Sequence, residues 1–152
     1  MMFRILIHSF AKLLPTSPAY AHCDVPCGIY DPRPSQIAAS AVKKMVEKII
    51  NPPDRDPKDE ASIRNFHNSM TRFVMTKESE AQACKEQLLI LWTDYFKPEH
   101  LSMFPNLHET FWKAAKLCSK NKQEVSLEAA DALVAAVDEI AHMFEESKKA
   151  TK

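Results

Sequence analysis

The chain has 152 residues, enough for one domain around one sizeable core, so no second domain is needed. Lys and Arg together number 20 and so do Asp and Glu, a neutral balance that offers no field for a polyanion and excludes nucleic acid as an expected partner. No apolar run is long enough to span a bilayer, so no membrane partner is expected either.

The first segment, residues 1–21, reads as a leader or propeptide removed on maturation, ahead of a domain over residues 22–152. It holds no acidic residue, carries Arg4 and Lys12, and ends in Ala19-Tyr20-Ala21, which fits the small-x-small rule of signal peptidase. His8 and Lys12 interrupt its apolar stretch, so secretory, transit and propeptide readings all stay open. A cytoplasmic location is the first expectation, with organellar or exported alternatives left by the leader.

Next comes His22-Cys23-Asp24-Val25-Pro26-Cys27-Gly28-Ile29-Tyr30, which packs an imidazole, two thiols, the only glycine and a tyrosine into one short loop. Cutting the chain after Ala21 adds a primary amine at His22. The amine, the Cys23 backbone nitrogen and the Cys23 and Cys27 thiolates then supply a square plane, with the His22 imidazole above it. Strong nitrogen and soft sulfur donors in that geometry suit nickel or copper better than tetrahedral zinc. A structural zinc site lacks an obvious fourth donor beyond the loop's own amide.

Asp31-Pro32-Arg33-Pro34-Ser35 suits a helix entry, since proline is tolerated in the first turn. The first helix is expected to run to about Asn51, with Ala38, Ala41, Val42, Met45, Val46, Ile49 and Ile50 on its apolar stripe. Asn51-Pro52-Pro53-Asp54 stops it, and the polar residues Asp54 to Lys58 read as an exposed loop. A long second helix carries Ile63, Phe66, Met70, Phe73, Val74, Ala81, Cys84, Leu88, Leu91, Trp92 and Tyr95 on its apolar side and is closed by Pro98. Pro105 opens a third, with Leu107, Phe111, Ala114, Ala115 and Cys118. Ser126 is the expected N-cap of a fourth, whose stripe is Leu127, Ala130, Leu133, Val134, Val137, Ile140, Ala141 and Phe144. Four such helices predict an all-α fold, an antiparallel four-helix bundle behind an N-terminal metal-binding hook. A single glycine agrees, because hairpin turns need more residues that accept positive φ.

Cys84 and Cys118 fall inside these helical patterns and read as buried thiols. His67, His100, His108 and His142 share no metal-ligand spacing and read as surface or capping residues. Trp92 and Phe111 read as core, and Met45, Met70, Met75 and Met103 as packing residues.

Residues His22 to Pro32 follow without a break the pattern His-Cys-Asp-x-Pro-Cys-Gly-x-Tyr-Asp-Pro, and the chain thereby resembles the nickel-containing superoxide dismutases. A second block, Leu91-Trp92-Thr93-Asp94-Tyr95-Phe96-Lys97-Pro98, is similar to that family too. The resemblance covers nearly everything from His22 onward. It implies one nickel ion per subunit, cycling between Ni(II) and Ni(III) as superoxide becomes oxygen and hydrogen peroxide. It also implies a homohexamer and a maturation protease. The alternative is a non-enzymatic nickel or copper carrier using the same hook, which has no need of Tyr30 and Tyr95 to filter small anions.

The resemblance gives His22, Cys23 and Cys27 as the metal ligands. Thiolates and a deprotonated amide stabilise the trivalent ion that hydrated nickel reaches too reluctantly, and the axial imidazole helps most in that form. Tyr30 and Tyr95 are implied at the mouth of the site, where hydroxyls order water and supply protons. Asp24 and Asp94 are expected to fix that network, Pro26 to hold a tight turn between the thiols, and Gly28 to give the chain room to leave the loop. Lys97 is either a steering charge or a solvated helix-end lysine. Two departures stand out: Ala38 and Glu80 occupy the positions where some family members use Glu and Arg to steady the imidazole. The segment Asn51 to Phe66 reads as a peripheral loop extension.

Overall fold

The computed structural model describes residues 28–150. It is all-helical in the order α1 (Arg33–Ile50), α2 (Glu60–Ile90), a single π turn (Leu91–Tyr95), a 3-10 turn (Pro98–Ser102), α3 (Leu107–Gln123) and α4 (Leu127–Ala150). The termini of these helices have local causes. Pro32 and Pro34 start α1 without a side-chain cap, as fits a first turn whose N–H groups have no helical partner. Asp59 caps α2 by accepting from the backbone N–H groups of Ala61 (3.0 Å) and Ser62 (3.1 Å). Ser126 accepts from Ala129 N–H at 3.1 Å, the N-cap expected for α4.

Each helix packs against its neighbours in chain order, and α4 closes the ring by packing on α1. The cross-links fix direction as well as adjacency. Between α1 and α4, Gln36 donates to Asp138 at 2.8 Å and Lys43 pairs with Asp131 at 2.7 Å, so the two helices run oppositely. Between α1 and α2, the Cys84 thiol donates to the Ser35 carbonyl oxygen at 3.5 Å while the Lys48 ammonium sits 5.2 Å from the Phe73 ring centre. Lys85 to Ser119 (3.3 Å) and Lys122 to Gln82 (3.1 Å) tie α2 to α3. The bundle is antiparallel throughout, as the helical periodicities predict.

Its core joins Ala38, Ala39 and Val42 of α1, Ala81, Cys84 and Leu88 of α2, Phe111, Ala114 and Cys118 of α3, and Leu133, Val137, Ile140 and Phe144 of α4. The core combines small residues on α1 and α2 with the large rings of Phe111 and Phe144 on α3 and α4. The stripes hold for most of each helix, with three exceptions: Ile50 and Leu127 are exposed where their helices end, and Val74 is exposed in the middle of α2. Met75 and Met103 are also exposed and do not pack.

The segment Asn51 to Phe66 is not wholly a loop. Residues 51–59 are irregular and exposed, but α2 starts at Glu60, so Glu60 to Phe66 is helix. The Asp59 cap offsets the local polarity, and Phe66 lies half-buried with the Arg55 guanidinium 5.4 Å from its ring centre. Among the described residues, no helix is long and apolar enough to cross a membrane.

Candidate metal centre

The expected ligands His22, Cys23 and Cys27, with Asp24 and Pro26, lie outside the described residues, as does the proposed leader. Gly28 and Tyr30 are the first described residues of the loop. Gly28 takes φ +69°, a left-handed torsion that glycine adopts without strain. A Cβ built there meets nothing within 4 Å among the described residues. The position therefore favours glycine for its backbone angle.

Tyr30 is half-buried and faces Tyr95, with ring centres 5.5 Å apart and planes inclined by 59°. The two tyrosines are 65 positions apart in sequence (95 minus 30) and meet because α1 starts where α2 ends. Three residues of chain span at most about 11 Å, so Cys27 lies within that reach of Tyr30. Chain connectivity thus ties Tyr30 to the candidate ligands, and Tyr95 is linked to them through its ring contact with Tyr30.

Tyr95 sits in the π turn, where the Phe96 N–H donates to the Leu91 carbonyl at 3.1 Å across five residues. Such wide turns re-aim side chains and recur at functional sites. Around the Tyr95 ring stand Phe144, tilted at 4.4 Å, Phe96, edge-on at 5.0 Å, and His100, stacked at 5.9 Å with planes 13° apart. His100 is held in turn, its Nδ1 accepting from the Lys97 backbone N–H at 3.0 Å. Its role is the capping one the sequence suggested, with the added task of walling Tyr95. The Tyr95 hydroxyl bonds to the buried Ser147 Oγ at 2.7 Å. Trp92, one turn earlier, stacks on Phe111 and donates to His108 Nδ1 at 2.8 Å.

The remaining expected residues stand apart. Asp94 is exposed and accepts from the neighbouring Thr93 hydroxyl at 2.7 Å, so the structure does not bring it into the tyrosine pair. Lys97 is exposed and reaches the cluster through its backbone N–H to His100. Ala38 is buried in the core, and Glu80 lies on α2 one turn before Cys84. Ser147 is the residue the sequence reading does not single out.

Beside Tyr30 an open cleft of about 670 Å³ separates the start of α1 from the end of α4, with Arg33, Lys148 and Lys149 set against Asp138, Glu145 and Glu146 on its walls. Lys149 bonds to Glu146 at 2.7 Å and holds that carboxyl below the ordinary glutamate range. The two signs alternate, so the cleft is no cationic funnel. Cys84 and Cys118 are buried free thiols on facing turns of α2 and α3. The neighbouring Cys118 thiol and burial push the Cys84 thiol up, while its own S–H is turned to the Ser35 carbonyl. A protonated, buried thiol makes a poor ligand, and among the described residues no group of three or more His, Cys, Asp or Glu is placed to hold a metal. The donor set that fits nickel is the N-terminal one.

The family model of nickel-containing superoxide dismutase matches residues 17–148. The chain is 35% identical over 130 residues to superoxide dismutase [Ni] of Streptomyces seoulensis, covering 86% of this chain and 90% of the relative. The Streptomyces coelicolor enzyme of the same name is 35% identical over 133 residues, with the same coverage. A crystal structure of Ni-containing superoxide dismutase with ligation corresponding to the oxidized state superposes with a TM-score of 0.72 at 33% identity, over 84% of this chain and 99% of the other. A native nickel superoxide dismutase structure gives 0.71 at 33% identity over the same shares. With its bundle, its paired tyrosines and its N-terminal donors, the chain belongs to the nickel-containing superoxide dismutase family.

Proposed function

We propose that the superoxide dismutase activity of this family is carried here by a hook in which His22, Cys23 and Cys27 hold one nickel ion per subunit once the chain has been cut after Ala21. The observation that carries this reading is the unbroken run from His22 to Pro32 leading directly into Tyr30, whose ring faces Tyr95. Bound there, nickel supplies the one-electron couple that takes an electron from one superoxide and returns it to a second. Family membership favours the enzyme over the carrier and over a structural zinc site.

The protein's own residues divide the remaining work. The Cys23 and Cys27 thiolates and the Cys23 amide donate charge, and the His22 amine exists only after cleavage. Tyr30 and Tyr95 line the approach and present hydroxyls to water and to the small anion, while their rings exclude larger oxidants. Asp24 is expected to steady that network and Pro26 to hold the turn between the thiols. The exposed Asp94 and Lys97 are left to act on the anion's approach from solvent. Assembly into a homohexamer and a dedicated maturation protease complete the reading.

The test is cleavage. A chain beginning at His22 is expected to bind nickel and dismute superoxide, and the full Met1–Lys152 chain to do neither well. Equal activity from the two, with the leader shown intact by mass, removes the amine from the ligand set and overturns the hook as written.

A further inference from the structure

Ser147 is the only polar side chain on the buried face of α4, whose other buried members include Leu133, Val137, Ile140 and Phe144, and it is 0% exposed. Its Oγ lies 2.7 Å from the Phe144 carbonyl oxygen and 2.7 Å from the Tyr95 hydroxyl oxygen. Two oxygens this close repel unless a hydrogen lies between them. The carbonyl has no hydrogen to give, so the single hydrogen of Ser147 goes to Phe144. The hydrogen between Ser147 and Tyr95 must then be the phenol's own. Back-bonding of a helical serine to the carbonyl three residues earlier is a familiar local pattern, and it fixes the rotor without help from the site.

We propose that Ser147 is a positioning residue for dismutation: it takes the Tyr95 hydroxyl as a donor, so that Tyr95 presents only acceptor lone pairs toward the Tyr30 side of the site. This rests on the reading of Tyr95 as lining the approach to the hook. Water resting on Tyr95 then donates one hydrogen to it and is turned with its second hydrogen toward the mouth, the orientation an incoming anion needs. Phe144 and His100 hold the ring in place, and Ser147 sets which way the hydrogen points.

The tyrosine Raman doublet distinguishes a donating from an accepting phenol, and the spectrum of the protein minus that of Tyr95→Phe isolates Tyr95. A donor pattern is expected in the parent protein and in Ser147→Thr, with or without nickel, and its loss in Ser147→Ala and Ser147→Val. Thr and Val have equal shape, so their contrast isolates the hydroxyl even where Ser147→Ala perturbs folding. In dismutation kinetics, Ser147→Val should lose roughly fivefold in saturating rate relative to Ser147→Thr, the scale of one hydrogen bond. Nickel content and the rate at low superoxide should hold. In a Tyr95→Phe background the Thr and Val variants should be equal. An unchanged doublet in Ser147→Val overturns the hydrogen assignment. Equal saturating rates for the Thr and Val variants, while Tyr95→Phe is impaired, overturn the positioning role and spare the reading of Tyr95. Parental kinetics in Tyr95→Phe overturn that reading itself, and the positioning role with it.

Discussion

The proposed hook gives Cys23 and Cys27 a chemistry opposite to that of the buried pair Cys84 and Cys118. Cys84 and Cys118 both sit fully buried in the core, and at Cys84 the neighbouring Cys118 thiol and burial favour the neutral thiol. Cys23 and Cys27 belong to a segment with only Val25 as an apolar residue between His22 and Gly28, and no periodicity there draws their thiols into a core. Cys23→Ser or Cys27→Ser is therefore expected to abolish nickel binding, its thiolate-to-metal absorption and catalysis, because a hydroxyl neither ionises near neutral pH nor donates as strongly. Cys84→Ser and Cys118→Ser should keep both metal and rate and alter stability alone. Metal analysis beside a denaturation curve decides it, and nickel loss in the second pair would mean the ligands have been misassigned. The candidate donor pair Cys23 and Cys27 stands out in the sequence because its surrounding composition is so unlike a helix. Ser147 was not, since its meaning comes from a hydroxyl 52 residues away on another helix. The one signal available was a serine three residues after Phe144 on an otherwise apolar stripe.

The elements were read well wherever periodicity extended over several turns and less well where a side chain alone decides. All four helices and their antiparallel order follow from stripes and proline stops. The start of α2 was blurred by the charged run around Asp54 to Glu60, which hides a capping aspartate among other acids. The π turn has no periodic signature, since one wide turn shifts only the residues after it. Lys77 is a further case: a lysine on a long helix reads as solvated, yet it is 2% exposed and donates to the backbone carbonyls of Asn121 and Lys122, the latter at 2.9 Å. These carbonyls are in the last turn of α3, where no helical N–H follows to bond them and the helix dipole favours a cation. Lys77→Met keeps the aliphatic stem and removes the donors, so it should cost about 2 kcal/mol of unfolding free energy by leaving buried carbonyls unpaired. Urea denaturation is the measurement. A loss below about 0.5 kcal/mol would show that water replaces the ammonium and that α3 needs no cap from α2.

At the scale of the whole molecule, the bundle and the metal chemistry are built from different stretches of chain. The described residues hold a continuous core reaching from α1 to α4, with cross-links at every interface that closes the ring, and none of them requires a metal. The hook contributes donors and almost no apolar surface. After it in sequence, Tyr30 faces Tyr95, and the Pro32 carbonyl accepts from the buried Ser35 hydroxyl at 2.6 Å, which seats the start of α1. This division differs from small zinc domains, in which metal affinity and folding free energy are one quantity. Removing nickel with a chelator should therefore abolish dismutation while leaving far-ultraviolet circular dichroism unchanged and hydrogen exchange still slow in the core around Leu88 and Val137. Restoring nickel to the His22-starting chain should return activity without a refolding step. Loss of the helical signal along with the metal would contradict this division: it would mean that the hook supplies folding energy to the bundle, and that the core from α1 to α4 does not hold the fold unaided.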